Sequence, residues 1–151
     1  MREKQSSKAL SDYAESQGLK VTRGVAHIPT AFIAEYGSGK PIIGILGEFD
    51  ALPGLSQKAE PFKDPLQEGK PGHGCGHNLF GTGSLGAAIA IKELIAAGKL
   101  KGTIRFYGTP AEEDLAGKVW MAKEGVFNDL DVCLDWHPDM KIKPTCKVRR
   151  P

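Results

Sequence analysis

The first residues of the sequence lack the pattern expected of a secretory leader. Its opening, MREKQSSKAL, carries charges with no apolar stretch behind them, so a cytoplasmic location is expected. It also lacks a long hydrophobic run. No apolar stretch approaches the roughly 20 residues of a membrane-spanning helix, and no membrane association is expected. Cysteine is scarce: Cys75, Cys133 and Cys146 make an odd count. Without a leader pattern, that argues against a disulfide framework. Cys133 lies in an apolar run and reads as a small buried hydrophobe. Cys146 has no assignable role, and Cys75 sits in a different setting, described below.

What is present is globular in character: 151 residues, 40% apolar and 25% charged, enough for one domain with its own core. The formal charge of +2 hides an uneven distribution. The tail KIKPTCKVRRP, residues 141–151, holds five of the 20 basic residues and no acidic one, leaving 15 basic against 18 acidic residues in the body. A basic tail can bind nucleic acid, but no aromatic or glycine-rich recognition pattern accompanies it, so no nucleic-acid partner is expected. The expected organisation is one domain over 1–140 and a separate basic tail over 141–151.

The pattern along the chain predicts alternating elements. Residues 3 to about 17 form an amphipathic helix with Ala9, Leu10, Tyr13 and Ala14 on one face and Gly18 as its stop. TAFIAEY and PIIGILGEF read as strands joined by a GSGK turn and able to pair as a hairpin. That turn is not a phosphate loop: the upstream glycine is missing and Pro41 stands where Ser or Thr is needed. Residues 51–77 show no periodicity, and a loop of this length is usually functional or disordered. A helix follows from about Thr82 to Ala97, then strand GTIRFYGTP, loop AEED, helix LAGKVWMAKEG and strand LDVCLDWHP. This order predicts an α/β three-layer sandwich with a largely parallel central sheet. The Gly81, Gly83, Gly86 pattern follows no strand directly and has no acidic residue some twenty positions on. It therefore predicts close helix packing and not a dinucleotide site.

Three buried strands end in polar groups: Glu48 and Asp50, then Glu112 and Glu113, then Asp135 and His137. In open α/β sheets ligands bind beyond the carboxyl ends of the strands. GHGCGHN, residues 72–78, sets His73, Cys75 and His77 between glycines just before a helix, and thiolate and imidazole are ligands for zinc-like ions. Adjacent glutamates in TPAEED can divide the work, one binding metal and the other serving as a general base. A Cys75–His77 nucleophile pair is the weaker alternative, because His77 lies two residues away on the same short loop.

GEFDALPGLSQ, GHGCGHN, TPAEED and DWHP, in this order, resemble the dinuclear metallopeptidases related to carboxypeptidase G, aminoacylase and hippurate hydrolase, over about residues 5–139. The resemblance implies that Cys75, His77, Glu113 and His137 ligate metal and that Glu112 is the general base. It makes Asp50 the carboxylate that orients a ligand or bridging group, places Glu48 behind the ligands, and gives His73 no role. It further implies a divalent cofactor, zinc or manganese and two ions in the complete family site. The implied activity is hydrolysis of the amide bond of N-acyl or N-aroyl amino acids, with p-aminobenzoyl-glutamate as the first candidate substrate. Relatives are expected to be dimeric and to carry a lid domain and a further histidine ligand; no histidine follows His137. The chain is therefore expected to be a fragment with weak or no turnover alone and with exposed apolar surface. The alternative is a non-catalytic metal-binding or interaction module.

Overall fold

A computed structural model describes residues 3–139 and Lys141. The basic tail beyond Lys141, with Cys146, lies outside the described residues. The elements are helix α1 (Lys4–Ser16), strands β1 (Lys20–Arg23), β2 (Phe32–Ser38) and β3 (Ile42–Glu48), helix α2 (His77–Ala96), strand β4 (Gly102–Thr109), helices α3 (Glu112–Leu115) and α4 (Gly117–Lys123), and strand β5 (Val132–Leu134).

The five strands lie in the order β1-β2-β4-β3-β5. Strands β4 and β5 pair parallel with β3, while β2 runs antiparallel to both β4 and β1. Four of the five strands therefore point one way. The expected β2–β3 hairpin does not form, because β4 is inserted between them. Seven of the eight residues of β4 are buried, Arg105 being the exception; a strand apolar on both faces gains most from the centre of the sheet. The short β1 escaped the sequence pattern because KVTR offers only one apolar residue.

Side-chain alternation splits the core into two layers, as period-2 geometry requires. On one face Phe32, Ala34, Ile45, Ile104 and Phe106 pack with Ala14 of α1 and with Leu85 and Ala88 of α2. On the other, Ile28, Ala31 and Tyr107 pack with Met121 of α4. The face of α1 is rotated from expectation: Ser11 and Ala14 are buried while Ala9 and Tyr13 are exposed. Ser7 anchors this face by donating its hydroxyl to the Thr30 carbonyl at 2.8 Å.

Helix α2 begins at His77, five residues before its expected start. At 20 residues it is long and apolar enough to span a membrane, although no such run was expected from the sequence. Here Phe80, Leu85 and Ala88 are buried, while Gly86, Ala87 and Ala90 are exposed. Gly81 and Gly83 bear out the close-packing expectation. A Cβ on Gly81 would lie 2.6 Å from the Glu48 carbonyl, and one on Gly83 would lie 3.0 Å from Trp136; Gly86 meets nothing within 4 Å.

The long loop after β3 is tied down, not free. Leu52 and Gly72 exchange two backbone hydrogen bonds of 3.0 Å, and Ser56 donates to the Lys70 carbonyl at 2.9 Å. AEED, expected as loop, forms the single turn α3. Strand β5 lies at the sheet edge, where Val132 is 45% and Leu134 51% exposed. Cys133 is likewise exposed, against the expectation of burial: β5 is a three-residue edge strand paired with β3 on one side.

Candidate metal centre

Because β3, β4 and β5 are neighbours running the same way, their carboxyl ends open on one edge. Strand β3 delivers Glu48 and, two residues on, Asp50; both are buried. Gly76 adopts a left-handed conformation (φ 80°) immediately before α2, a geometry glycine takes without a Cβ penalty. It turns the chain so that His77 enters the first helical turn, 1% exposed. The sequence pattern placed His77 in an extended loop; the helix fixes it instead.

Asp50 organises this region. Its Oδ1 accepts the His77 Nδ1–H at 2.8 Å, and its Oδ2 accepts the Glu113 backbone N–H at 3.1 Å. A carboxylate holding one ring nitrogen is the arrangement that orients metal-binding histidines. His137 is set in the same way, with Nδ1–H donating to the Pro138 carbonyl at 2.9 Å. In the neutral rings both Nε2 atoms are then left with lone pairs.

Those two lone pairs meet. His77 Nε2 and His137 Nε2 are 3.4 Å apart, and Cys75 Sγ is 3.3 Å from His137 Nε2. Glu48 Oε2 lies 2.9 Å and Glu113 Oε1 3.9 Å from His77 Nε2. Glu112 brings a carboxylate oxygen within 4.8 Å of donor atoms on Glu48 and His77. Glu48 Oε2 is at hydrogen-bond distance from an acceptor nitrogen yet is buried with no hydrogen-bond partner. Unpartnered buried carboxylate oxygens are costly. Lone pairs converging on one point are what a cation relieves, and one thiol, two imidazoles and carboxylates are a donor set suited to zinc. The residues fit a divalent cation.

All the sequence-derived candidates are thereby brought together: Cys75, His77, Glu113 and His137, with Glu112, Asp50 and Glu48. Glu48 departs from its expected position behind the ligands, since its Oε2 reaches into the cluster. His73 is exposed and is not among the donor groups of the cluster.

In the metal-free chain the surroundings of Cys75 disfavour its thiolate. Burial, followed by the nearby Glu113, Glu48 and Glu112 carboxylates, pushes the Cys75 thiol up to about 11. Nucleophilic cysteines are activated in the opposite direction. Burial also raises the Glu48 carboxyl above its usual range, against the pull of Lys118.

Lys118, on α4, was missed by sequence reasoning. Its ammonium donates to Glu48 Oε1. Burial opposes its charge, but the hydrogen bond and charge of Glu48 outweigh that and raise its pKa. Seventy positions separate the pair, and a lysine in GKVWMAK reads as a solvated helix residue, so no local signal could have marked it. Trp136 supports the other side, donating its indole N–H to Ser84 Oγ at 2.9 Å and packing edge-on against Phe80.

Comparison with known proteins gives the geometry its context. The family model of peptidases M20/M25/M40 matches residues 44–149. This chain belongs to that family. It is 51% identical over 137 residues to a subunit of the p-aminobenzoyl-glutamate hydrolase of Escherichia coli, covering 89% of this chain and 28% of that protein. It is 33% identical to the human Xaa-Arg dipeptidase, covering 76% of this chain and 26% of that protein. A Bacillus subtilis structure described as a dinuclear metal-binding peptidase of the M20 family superposes with a TM-score of 0.76 at 30% identity, covering 91% of this chain and 37% of that one. The chain thus spans between 26% and 37% of the length of these relatives.

Proposed function

We propose that this chain carries part of the metal centre of an amidohydrolase that cleaves the amide bond of N-acyl or N-aroyl amino acids, with p-aminobenzoyl-glutamate as the first substrate to try. The observation that carries the proposal is that two donor groups, Cys75 with His77 and His137 and Glu48 with His77 and Glu112, share His77 at one strand-end edge, with Glu113 Oε1 3.9 Å from His77 Nε2. The 51% identity to the p-aminobenzoyl-glutamate hydrolase of Escherichia coli supports the substrate. The donor set supports zinc, and its carboxylate content also accommodates manganese. We place the protein in the cytoplasm and expect the complete assembly to be dimeric.

In this reading Cys75, His77, Glu113 and His137 hold the cation, with Glu48 Oε2 facing it as a further donor. Asp50 keeps His77 in the tautomer that offers Nε2, and through the Glu113 N–H it fixes where α3 starts. When bound, a divalent cation supplies Lewis acidity for the amide carbonyl and lowers the pKa of water towards ~7. Glu112 accepts a proton from the attacking water on a carboxylate oxygen and returns it to the amine nitrogen as the amide bond breaks. A cavity of about 340 Å³ lies beside Asp50, with Phe49, Pro53, Pro71 and Asp114 among its walls, and none of Cys75, His77, Glu112, Glu113 and His137 lines it.

The test is release of p-aminobenzoate from p-aminobenzoyl-glutamate by the chain supplied with zinc or manganese. Turnover that disappears with chelator and in Glu112→Gln supports the proposal. Bound metal without turnover, with Glu112→Gln unchanged in every measurable respect, supports the non-catalytic binding module.

A further inference from the structure

We propose that Lys118 is a positioning residue for the cation site: by holding Glu48 through Oε1, it leaves Oε2 as the single oxygen that Glu48 can offer. The inference rests on reading the cluster as a divalent-cation site.

Four observations carry it. Glu48 is 2% exposed and its two oxygens have different surroundings. Oε1 accepts from Lys118 Nζ. Oε2 is buried, unpartnered and 2.9 Å from His77 Nε2. The backbone before Lys118 is built to bring it inward: a Cβ on Gly117 would lie 2.0 Å from the Pro110 carbonyl, so only glycine lets α4 start this close to the end of β4. The result is a lysine anchored over a strand end and not a lysine free on a helix surface.

Charge gives the arrangement a second consequence. Glu48, Asp50, Glu112 and Glu113 with an ionised Cys75 would place five negative charges around the site. The Lys118 ammonium offsets one, and the four that remain equal the charge of two divalent cations. A pure charge argument and a positioning argument then diverge for a variant without the ammonium. Loss of a nearby positive charge alone would strengthen cation binding. Loss of positioning leaves Glu48 able to rotate and present both oxygens, and removing an outer partner of a ligand typically weakens metal affinity on the order of 10- to 100-fold.

The experiment is a Co²⁺ titration of the full chain, followed in the near-ultraviolet for thiolate-to-cobalt charge transfer and in the visible for the d–d bands, which weaken as coordination number rises. Absence of the charge-transfer band in the unmodified chain would remove the cation-site reading itself. With that band present, Lys118→Met should bind Co²⁺ on the order of 10-fold or more weakly, with weaker d–d absorption, and Lys118→Arg should restore both. Lys118→Gln, which keeps a donor without a charge, should lie nearer the unmodified chain and carries the test if the methionine variant does not fold. In a Glu48→Gln background, Lys118→Met should have no further effect. Unchanged or tighter Co²⁺ binding with an unchanged d–d envelope in Lys118→Met, or an equal loss in the Glu48→Gln background, would overturn the proposal.

Discussion

The two halves of the cluster are built differently. Glu48, Asp50 and His77 come from β3 and the first turn of α2, are all buried, and are fixed by each other, by Lys118 and by the close approach of Gly81 to the Glu48 carbonyl. Glu113 and His137 come from a single-turn helix and from the segment after an exposed edge strand, and both face solvent. The inner half is part of the hydrophobic architecture, whereas the outer half is laid over it. Substitutions on the inner side should therefore disturb fold and cation binding together, and those on the outer side should disturb binding alone.

The largest expected effect follows from His77. His77→Ala should lower Zn²⁺ affinity by at least about 100-fold, and it should destabilise the metal-free chain by about 1–3 kcal/mol because Asp50 loses the buried His77 Nδ1–H it accepts from. His137→Ala should weaken Zn²⁺ binding while leaving stability within about 0.5 kcal/mol. Calorimetric titration and urea unfolding check both arms; equal stability losses would erase the distinction between the halves. Next is Asp50→Asn, which cannot accept as the carboxylate does. It should cost on the order of 10- to 100-fold in Zn²⁺ affinity, read by the same titration, with the fold retained.

A smaller effect belongs to the helix contact. Gly81→Ala must push α2 away from the Glu48 carbonyl and should cost about 1–3 kcal/mol. Gly86→Ala, facing open space, should be neutral or stabilising by up to about 1 kcal/mol. Thermal unfolding distinguishes them. The smallest effect concerns Cys75 and needs no mutation. With the thiol pushed up to about 11, it is protonated across pH 7 to 9 in the metal-free chain. Its alkylation rate, followed on its own peptide by mass spectrometry, should keep rising with pH through 10. A plateau near 9 or below would contradict the carboxylate surroundings assigned to it.

The same division explains what the sequence made legible. Strand-end acids, the Cys75–His77 pair and the order of motifs were readable because each is local and because parallel strands carry their ends to one edge. The pairing of β2 with β4 was not, since hairpin reasoning weighs sequence proximity and cannot see that β4 is apolar on both faces. The early start of α2 was hidden by glycines at 74 and 76, which read as loop, whereas Gly76 serves a left-handed entry to the helix. Cys133 looked buried by its apolar neighbours, yet an edge strand takes its burial from what packs on it. Lys118 carried no local mark, because its meaning depends on Glu48 seventy residues away.

The central claim is that Cys75 and the two histidines share one cation. The most direct measurement is zinc K-edge X-ray absorption of the chain loaded with one equivalent of Zn²⁺. We predict one sulfur at about 2.3 Å with nitrogen and oxygen donors at about 2.0–2.2 Å, and loss of the sulfur shell in Cys75→Ser. A zinc environment without sulfur, or a chain that retains no zinc, would contradict the account.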